Sequence, residues 1–363
     1  MKAILISSHS KRDMKMNDPK TATRASFRSI VEESFEESIE EIRKKSPEEI
    51  LELIKKHGKG KSSLFSTEKI DYGLNNETDC LNAVLVHRLG PGVELVDQED
   101  PWKWLMVRKP DLDKALPEYD NMIELIKREA GADIIFLHAP SEEKPTIFPP
   151  NQAYTRDHGF MTPYGAVIGN PDSPRIYEEF FVMRRLLELD IPLAFKVYGS
   201  GRMEGGDVLY LDEKTLLVGN SYRTNSIGYE QIKAILEKWV VDSVVQVPLR
   251  SDIMHLDTVF NIASRNVAAV YPEAVSKEFV NFVKKKGFDV VMVSKEEYQT
   301  LATNWLCLAP EKILFIDGKE QMNIATRKEL EKRGIDVVSS KMPALLGGAG
   351  GPRCLTMPLS RGK

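Results

Sequence analysis

A repeated unit of hairpin, helix and strand runs from about residue 79 to the C terminus, and it constrains the fold more than any other feature of the chain. Within each unit, the apolar residues change from strand-like alternation to helical spacing and back again. Four units are complete. Their hairpins, helices and strands are predicted at 159–170, 174–189 and 193–198; at 208–219, 226–240 and 243–248; at 259–271, 276–286 and 289–293; and at 305–316, 323–333 and 336–340.

A fifth unit is divided between the two ends of the repeat region. A helix at 116–130 and a strand at 133–137 lack a hairpin, and the two strands still available are 81–88 and 355–359. Pairing these two strands would close the five units into a ring and leave no free sheet edge at the seam. The sequence therefore predicts an α/β fold, a five-bladed pseudo-symmetric propeller that forms one domain over residues 79–363.

Residues 1–78 lack the repeat and are predicted to form a helical extension. Apolar residues at helical spacing between 27 and 42 indicate an amphipathic helix. Ser46, Pro47 and Glu49 are typical of the start of a second helix, with Ser46 as the N-cap and Glu49 completing a capping box. The stretch 58–63 lacks the first glycine of a phosphate-binding loop, so we interpret it as a linker.

The composition narrows the class of protein. With 42% hydrophobic and 29% charged residues, a chain of 363 residues is typical of a globular protein with a large core. The net charge of −4 and the lack of a basic stripe argue against a nucleic-acid partner. No apolar run reaches the ~20 residues of a membrane span, and the N-terminal run is too short for a signal peptide. We therefore expect a cytoplasmic protein without a membrane partner.

The three cysteines are far apart and form no CxxC pair, which argues against disulfides and against a structural zinc site. Cys307, between two leucines, is expected in the core, and Cys80 at a surface or sheet edge. Cys354 follows a glycine-rich stretch, Gly347–Arg353. A lone cysteine is commonly a buried apolar residue, but such small neighbours pack a core poorly. This setting favours a nucleophile.

An aspartate recurs at the start of three successive hairpins, at Asp157, Asp207 and Asp257, with a spacing of fifty residues. One such aspartate is best explained as a turn cap. Three in register favour a site, because equivalent positions of a ring converge on a central cleft. Glu204 stands across two glycines from Asp207, and His255 stands two residues before Asp257. In an extended strand, residues two apart share a face.

A cleft with several carboxylates and few basic groups favours a cationic ligand. A metal is the less favoured interpretation, since the sequence has neither an HExxH motif nor an EF-hand loop, and we predict no metal and no cofactor. A guanidinium suits paired carboxylates, because it is planar, always charged and offers five N–H donors. Attack on its resonance-stabilised carbon needs a thiolate assisted by an imidazole, and the bound cation would lower the pKa of the thiol.

Four ordered motifs resemble those of arginine deiminase, a member of the guanidino-group-modifying superfamily that also contains amidinotransferases and dimethylarginine dimethylaminohydrolases. The resemblance covers about residue 79 to the end, and it implies the five-bladed pentein propeller. The motifs are Thr155-Arg156-Asp157, Glu204-Gly205-Gly206-Asp207, His255-Leu256-Asp257-Thr258-Val259-Phe260 and Gly351-Pro352-Arg353-Cys354-Leu355-Thr356-Met357-Pro358-Leu359.

The resemblance implies three catalytic residues. Cys354 would attack the guanidinium carbon and form a covalent amidino-thioether. His255 would protonate the departing nitrogen and then act as a base on the incoming nucleophile. Glu204 would hold the guanidinium and orient His255.

It also implies substrate-binding residues. Asp157 and Asp257 would bind guanidinium nitrogens, whereas Asp207 is expected to be more structural. Arg223 is the candidate for the substrate α-carboxylate, and Arg175 is the weaker second candidate.

The sequence departs from the resemblance in two places. Ala349 stands where many bacterial arginine deiminases have a substrate-contacting arginine, and the inserted helical domain of larger deiminases has no counterpart. The favoured reaction is hydrolysis of arginine to citrulline and ammonia. The alternative is amidino transfer from arginine to an acceptor amine, with release of ornithine. A non-catalytic binding propeller is disfavoured, because cysteine and histidine are both present. Three questions are left open: which amine would accept the amidino group, whether the protein forms a homo-oligomer, and what residues 1–78 do.

Overall fold

The computed structural model describes residues 70–137, 149–172, 175, 177–317 and 322–362, together with Lys44, Ser46 and Glu49. Ser46 and Glu49 form the predicted capping box: the Ser46 amide donates to Oε2 of Glu49 over 2.7 Å, and the Glu49 amide donates to Oγ of Ser46 over 3.1 Å. The predicted helix at 27–42 and the linker at 58–63 lie outside the described residues. The helical extension over 1–78 therefore stays a prediction.

The chain forms two compact units, Met1–Leu64 and Phe65–Lys363. The second unit thus begins before the boundary that the sequence predicted after residue 78. Backbone hydrogen bonds give the reason: the Gly73 amide donates to the Leu359 carbonyl over 2.8 Å, and the Arg361 amide donates to the Gly73 carbonyl over 3.2 Å. Residues just ahead of the first repeat are therefore part of the propeller.

The described strands form five three-stranded sheets. In four sheets a hairpin supplies two antiparallel strands, and in the remaining sheet two strands from opposite ends of the domain pair antiparallel. In every sheet a third strand, reached through a helix, lies parallel to the middle one. The sheets, each in spatial order, are β15 (Met357–Gly362), β1 (Cys80–Val86) and β2 (Asp133–Phe136); β3 (Gly159–Thr162), β4 (Gly165–Ile168) and β5 (Leu193–Lys196); β6 (Val208–Asp212), β7 (Thr215–Asn220) and β8 (Ser243–Pro248); β9 (Phe260–Ser264), β10 (Val267–Val270) and β11 (Asp289–Met292); and β12 (Leu306–Ala309), β13 (Lys312–Asp317) and β14 (Asp336–Lys341).

One helix covers each sheet, and each presents an apolar face to it. In α1 (Leu112–Ala130), for example, Tyr119, Met122 and Ile126 recur at helical spacing and are fully buried. The other α-helices in the described residues are α2 (Glu178–Glu188), α3 (Ser226–Leu236), α4 (Lys277–Lys285), α5 (Lys295–Tyr298) and α6 (Ile324–Glu331). None of the described helices is long and apolar enough to cross a membrane.

Three helix boundaries differ by four residues from the sequence prediction. Helix α2 begins at Glu178 rather than at residue 174, because Tyr177, just ahead of it, takes a left-handed backbone conformation (φ 82°). Helix α1 begins at Leu112 rather than at residue 116, because a full turn forms ahead of Pro117, where Ala115 is buried and donates its amide to the Asp111 carbonyl over 2.8 Å. Helix α3 ends at Leu236 rather than at residue 240. The next residue is extended, and Lys238 takes a left-handed backbone conformation (φ 72°) that ends the helix.

Strands β1 and β15 pair antiparallel, with Leu81 opposite Arg361 and Leu85 opposite Met357, which confirms the predicted seam. Each sheet also contacts the next around the ring: β15 contacts β3, the turns before β3 and β6 meet, β6 contacts the turn before β9, β9 contacts β13, and β12 contacts β1. Five blades therefore close into one propeller. The turns that precede β3, β6 and β9 contact one another in succession around the ring, and the site lies there.

Candidate active site

The three aspartates in register enter the site on short turns. A 3-10 turn precedes each of β3, β6 and β9, at Thr155–His158, Gly205–Asp207 and Leu256–Thr258, and successive turns contact one another. The fold thus brings Asp157, Asp207 and Asp257 together, and all three are buried. The strand argument for His255 and Asp257 is wrong, because a 3-10 turn rather than a strand follows His255.

The glycine-rich turn before Cys354 is shaped by one aromatic ring. A Cβ atom at Gly348 would overlap the hydroxyl of Tyr154, and a Cβ at Gly350 would overlap the edge of the same ring. Small residues are therefore required here because the buried Tyr154 packs directly against the turn. Cys354 follows and is 3% exposed.

A small cavity lies at this end of the ring. Five of the residues predicted for the site line it, namely Asp157, Arg175, Arg223, His255 and Cys354. The remaining lining residues were not predicted, and they are Leu105, Asn151, Tyr154, Met254, Gly348 and Ala349. The cavity therefore joins the thiol, the imidazole, one acid and two guanidinium groups from four different blades, whereas Glu204, Asp207 and Asp257 do not line it.

Glu204 lies behind the cavity and uses both carboxylate oxygens. Its Oε1 accepts from Nη1 of Arg223 over 3.1 Å, and its Oε2 accepts from Nη1 of Arg175 over 3.1 Å and from Nε2 of His255 over 2.8 Å. Burial alone would raise the pKa of Glu204, but the two guanidinium groups and the histidine hold it well below its usual range. Glu204 is thus an ionised group that fixes the His255 ring.

His255 is a cation in this environment. Burial alone would lower its pKa, but Asp157 and Glu204 outweigh burial and raise the pKa to about 9. Its Nδ1 lies 3.8 Å from Oδ1 of Asp157. A histidine with this pKa carries its proton at neutral pH, so it is ready to act as an acid.

Arg175 lies among the acids of the cluster. Its guanidinium donates to Asp157 over 2.6 Å, to Glu178 over 2.8 Å and to Glu204 over 3.1 Å. Burial would lower its pKa, but these carboxylates raise it well above the usual value. The sequence suggested Arg175 as a second ligand for a substrate α-carboxylate, but here its hydrogen bonds go to the protein's own acids.

Arg223 has fewer partners than Arg175. It is buried, and the single ion pair recorded for it in the described residues is the one with Glu204. Its Nε is buried without a hydrogen-bond partner among the described residues. Since it also lines the cavity, Arg223 retains a donor for a ligand, whereas the donors of Arg175 are engaged.

Two buried carboxylate oxygens of the acid cluster have no hydrogen-bond partner in the described part of the chain. Among the described residues, neither Oδ1 of Asp157 nor Oδ1 of Asp257 accepts a hydrogen bond, and both are buried. The other oxygen of Asp257 accepts from Arg353 over 2.9 Å and lies 3.8 Å from Sγ of Cys354. An unpaired buried acceptor is costly, so these two oxygens are suited to the N–H donors of a ligand.

The Cys354 thiol is neutral in this arrangement. Burial raises its pKa well above the usual value, and the charges of Asp257 and Asp157 raise it further. The acids that suit a cationic ligand therefore suppress the thiolate until a cation neutralises them.

Asp207 points away from the cavity. It accepts from the Ser221 hydroxyl over 2.6 Å and from the Leu256 amide over 2.8 Å, and burial raises its pKa to about 7. It thereby ties the turn that carries Asp257 to the preceding blade. These contacts fit the structural role expected for it.

Three of these groups could also offer metal ligands. Asp157, Glu204 and His255 each present one ligand atom, and the three atoms lie within 4.8 Å of one another. However, the Arg175 guanidinium donates to both carboxylates. The chain supplies its own cation here, so the cluster needs no metal ion for charge balance.

Several site residues escaped the sequence reasoning. Arg353 is buried and joins Asp257 to Glu77, at 2.9 and 3.2 Å. It stands next to Cys354 in a quoted motif, but nothing in the letters indicates its partners. Glu178 anchors Arg175 three residues away, a helix-like spacing that could have suggested the pair. Apart from its position next to the first motif, nothing in the sequence indicated that Tyr154 belongs to the site.

Comparison with known proteins places the chain in a family. The model of the eukaryotic N,N dimethylarginine dimethylhydrolase family matches residues 106–361. An uncharacterized Bacillus subtilis protein, YkgA, is 29% identical over 214 residues, which cover 59% of this chain and 71% of that protein. The arginine deiminase of Listeria monocytogenes is 28% identical over 262 residues, which cover 58% of this chain and 62% of the deiminase. The match thus spans less than two thirds of the deiminase.

Solved structures share the fold. A Pseudomonas aeruginosa DDAH mutant complexed with citrulline matches with a TM-score of 0.63 at 21% identity, over 77% of this chain and 99% of the other. The N-terminal domain of ArgZ, a cyanobacterial arginine dihydrolase, matches with a TM-score of 0.65 at 19% identity, over 78% of this chain and 98% of the other. These likenesses confirm the predicted pentein propeller. The chain therefore belongs to the N,N dimethylarginine dimethylhydrolase family, in the pentein superfamily of enzymes that modify guanidino groups.

Proposed function

We propose that this protein hydrolyses arginine to citrulline and ammonia through a covalent intermediate on Cys354. The observation that carries the proposal is a pair of buried oxygens, Oδ1 of Asp157 and Oδ1 of Asp257, which accept no hydrogen bond among the described residues and belong to two acids whose charges act on the thiol. A guanidinium offers N–H donors in one plane and can satisfy two such acceptors at once. Its central carbon would then lie against the sulfur.

The same two oxygens favour an unsubstituted guanidinium. Arginine has N–H donors on both terminal nitrogens, whereas a terminal nitrogen carrying two methyl groups has none. Asymmetrically dimethylated arginine would therefore leave one buried carboxylate oxygen unpaired, which costs about 1–3 kcal/mol. That cost corresponds to a preference for arginine of roughly tenfold to a hundredfold. The likeness to arginine deiminases gives independent support.

The first half of the reaction starts with charge neutralisation. A guanidinium bound to Asp157 and Asp257 offsets the charges that hold the thiol pKa high, so the Cys354 proton leaves to solvent. The thiolate attacks the guanidinium carbon and forms a C–S bond. His255, protonated at neutral pH, donates its proton to one terminal nitrogen, and the C–N bond breaks to release ammonia.

The second half uses the same histidine as a base. The neutral His255 removes a proton from water, and the resulting hydroxide attacks the amidino carbon. The C–S bond then breaks, the sulfur leaves as the thiolate, and the proton on the product oxygen returns to the sulfur as citrulline is released. His255 has regained its proton, so the cycle is complete.

The products test the proposal directly. With arginine alone, we expect citrulline and ammonia in equal amounts, and Cys354→Ser should reduce turnover by at least about 10³-fold with an unchanged circular dichroism spectrum. Dimethylarginine, assayed in parallel, should be the poorer substrate. Ornithine formed only when an amine is added would instead establish amidino transfer. Full activity in Cys354→Ser would remove the covalent mechanism altogether.

A further inference from the structure

The fifth blade carries an asparagine at the position where the other four carry an aspartate or the cysteine. Asn304 follows Asp257 by 47 residues and precedes Cys354 by fifty, and it lies two residues before β12. The entry positions around the ring are thus Asp157, Asp207, Asp257, Asn304 and Cys354. Continued from Asp257, the fifty-residue register would reach Cys307, so Asn304 is identified by its place before β12 and by its spacing of fifty residues from Cys354.

Asn304 holds the nucleophile turn by hydrogen bonds at both ends. Its Oδ1 accepts from the Gly351 amide over 3.1 Å and from the Cys354 amide over 3.2 Å. Its Nδ2 donates to the Asp257 carbonyl over 3.4 Å, and its own carbonyl accepts from the Arg353 amide over 3.3 Å. The residue is fully buried. One side chain thereby fixes the turn that presents the sulfur to the turn that presents Asp257.

The lack of charge on this side chain has an electrostatic consequence. Burial, Asp257 and Asp157 raise the pKa of the Cys354 thiol, whereas the Gly351 amide and the Asn304 side chain lower it. A carboxylate at 304 would have nearly the same shape as the amide. It would also add a third negative charge beside the sulfur and oppose thiolate formation.

We propose that Asn304 is a positioning residue of the reaction, which fixes the Cys354 turn against Asp257 and keeps a further negative charge away from the attacking sulfur. This inference rests on the assignment of Cys354 as the nucleophile under the proposed function. Asn304 acts through Cys354 and does not line the cavity. Its loss should therefore slow the chemical step more than it weakens substrate binding.

The reactivity of the Cys354 thiol, measured in the absence of substrate, tests this role of Asn304. Asn304→Asp and wild type are alkylated with iodoacetamide from pH 6.5 to 11, and the peptide containing Cys354 is followed by mass spectrometry, which separates it from Cys80 and Cys307. We expect the Asn304→Asp profile to move up by at least about one pH unit, so that alkylation is roughly tenfold slower at any pH below the midpoint.

Asn261→Asp is the matched control. Asn261 is equally buried, and its amide donates to the carbonyls of Thr303 and Trp305, on either side of Asn304. None of its hydrogen bonds among the described residues reaches the Cys354 turn. Asn261→Asp therefore also buries a new carboxylate in the same region. Its alkylation profile should nevertheless coincide with that of wild type.

An Asn304→Asp profile that coincides with wild type, or an equal shift in Asn261→Asp, overturns the inference. If Asn304→Asp does not fold, Asn304→Ala takes its place in steady-state assays with arginine. There kcat should fall roughly tenfold to a hundredfold while KM changes by less than about threefold, and a raised KM with unchanged kcat contradicts the assignment. A protein that shows the alkylation shift but turns over no arginine refutes the proposed function and leaves the role of Asn304 standing.

Discussion

At the scale of single residues, Arg223 and Arg175 both form ion pairs with Glu204, but their other contacts differ and indicate different roles. Arg175 is shared among three carboxylates, so its removal would leave several buried negative charges uncompensated, which commonly costs 3–5 kcal/mol. Arg223 pairs with one carboxylate and keeps a buried donor unused. Selectivity for an amino-acid substrate is therefore expected to depend on Arg223, and integrity of the acid cluster on Arg175.

This difference predicts how two substrates respond to Arg223→Ala. Arginine has an α-carboxylate and agmatine has none, so the substitution should raise KM for arginine by about ten times more than KM for agmatine. Steady-state kinetics on both substrates gives the ratio. Arg175→Ala is the control, and there we expect KM to change by a similar factor for arginine and for agmatine. Equal losses on arginine and agmatine in Arg223→Ala would exclude Arg223 as the carboxylate ligand.

The raised pKa of His255 predicts how stability depends on pH. Its pKa is about 9 in the folded protein against the ordinary 6.5, so the protonated imidazole stabilises the fold. That contribution is complete below pH 6.5 and is lost as the pH rises through 9. The free energy of unfolding should therefore fall by up to about 3 kcal/mol across this window. Urea titrations at several pH values would measure the slope.

A second buried histidine is the control for that slope. Burial lowers the pKa of His158 well below its ordinary value, so His158 is neutral in both states above pH 6.5. The slope between pH 6.5 and 9 should flatten in His255→Gln and persist in His158→Gln. A slope that survives in His255→Gln would assign the effect to another group.

At the scale of elements, the groups proposed to be catalytic lie in or next to the turns that lead into strands and not in the strands themselves. Thr155–His158, Gly205–Asp207 and Leu256–Thr258 are 3-10 turns, and a turn can direct neighbouring side chains to different partners. His255 and Asp257 show the difference, since the predicted reason for their shared face was wrong although both are at the site. Glu204 and Asp207, separated by two glycines, likewise bind different groups, since Glu204 accepts from the His255 ring and Asp207 from the Leu256 amide.

The turn before Cys354 shows why a glycine-rich stretch at a site needs its tertiary partner to be understood. The sequence suggested a turn that presents a thiol. The structure shows that Gly348 and Gly350 are small because the Tyr154 ring occupies the adjacent space. The same ring lines the cavity, so one tyrosine positions the nucleophile turn and forms part of the wall around the ligand.

At the scale of the whole molecule, the closing strand links stability to activity. Strand β15 begins three residues after Cys354 and completes the first blade. Since each blade contacts the next around the ring, a destabilising change at the seam should destabilise all five blades. The propeller is therefore expected to unfold as one cooperative unit.

Leu359→Ala tests this expectation. Leu359 is fully buried in β15, so the substitution should cost about 2–5 kcal/mol and lower a single unfolding transition, with activity lost in step. Denaturant unfolding followed by fluorescence and by activity checks the coincidence. Leu330→Ala on α6, equally buried and in another blade, should lower the same transition. An early, separate transition in Leu359→Ala would mean that the first blade opens alone.

The sequence alone determined the repeat, the order of helices and strands, the seam and the convergence of three acids on one end of the ring. These features are local or periodic, since apolar spacing and a fifty-residue register are both visible in the letters. The boundaries that failed, as at Leu112 and Leu236, depend on turns whose hydrogen bonds a pattern does not reveal.

Only the tertiary structure decided what each charged group does. Arg175 is bound by three carboxylates, Arg223 keeps an unused donor, Asp207 binds the Leu256 amide and Asn304 holds the Cys354 turn. Most of these contacts depend on distances between residues far apart in the chain. The pKa values of His255 and Cys354 depend on burial and on charges a few ångströms away. Burial and three-dimensional proximity arise only when the ring closes, so no local pattern can specify them.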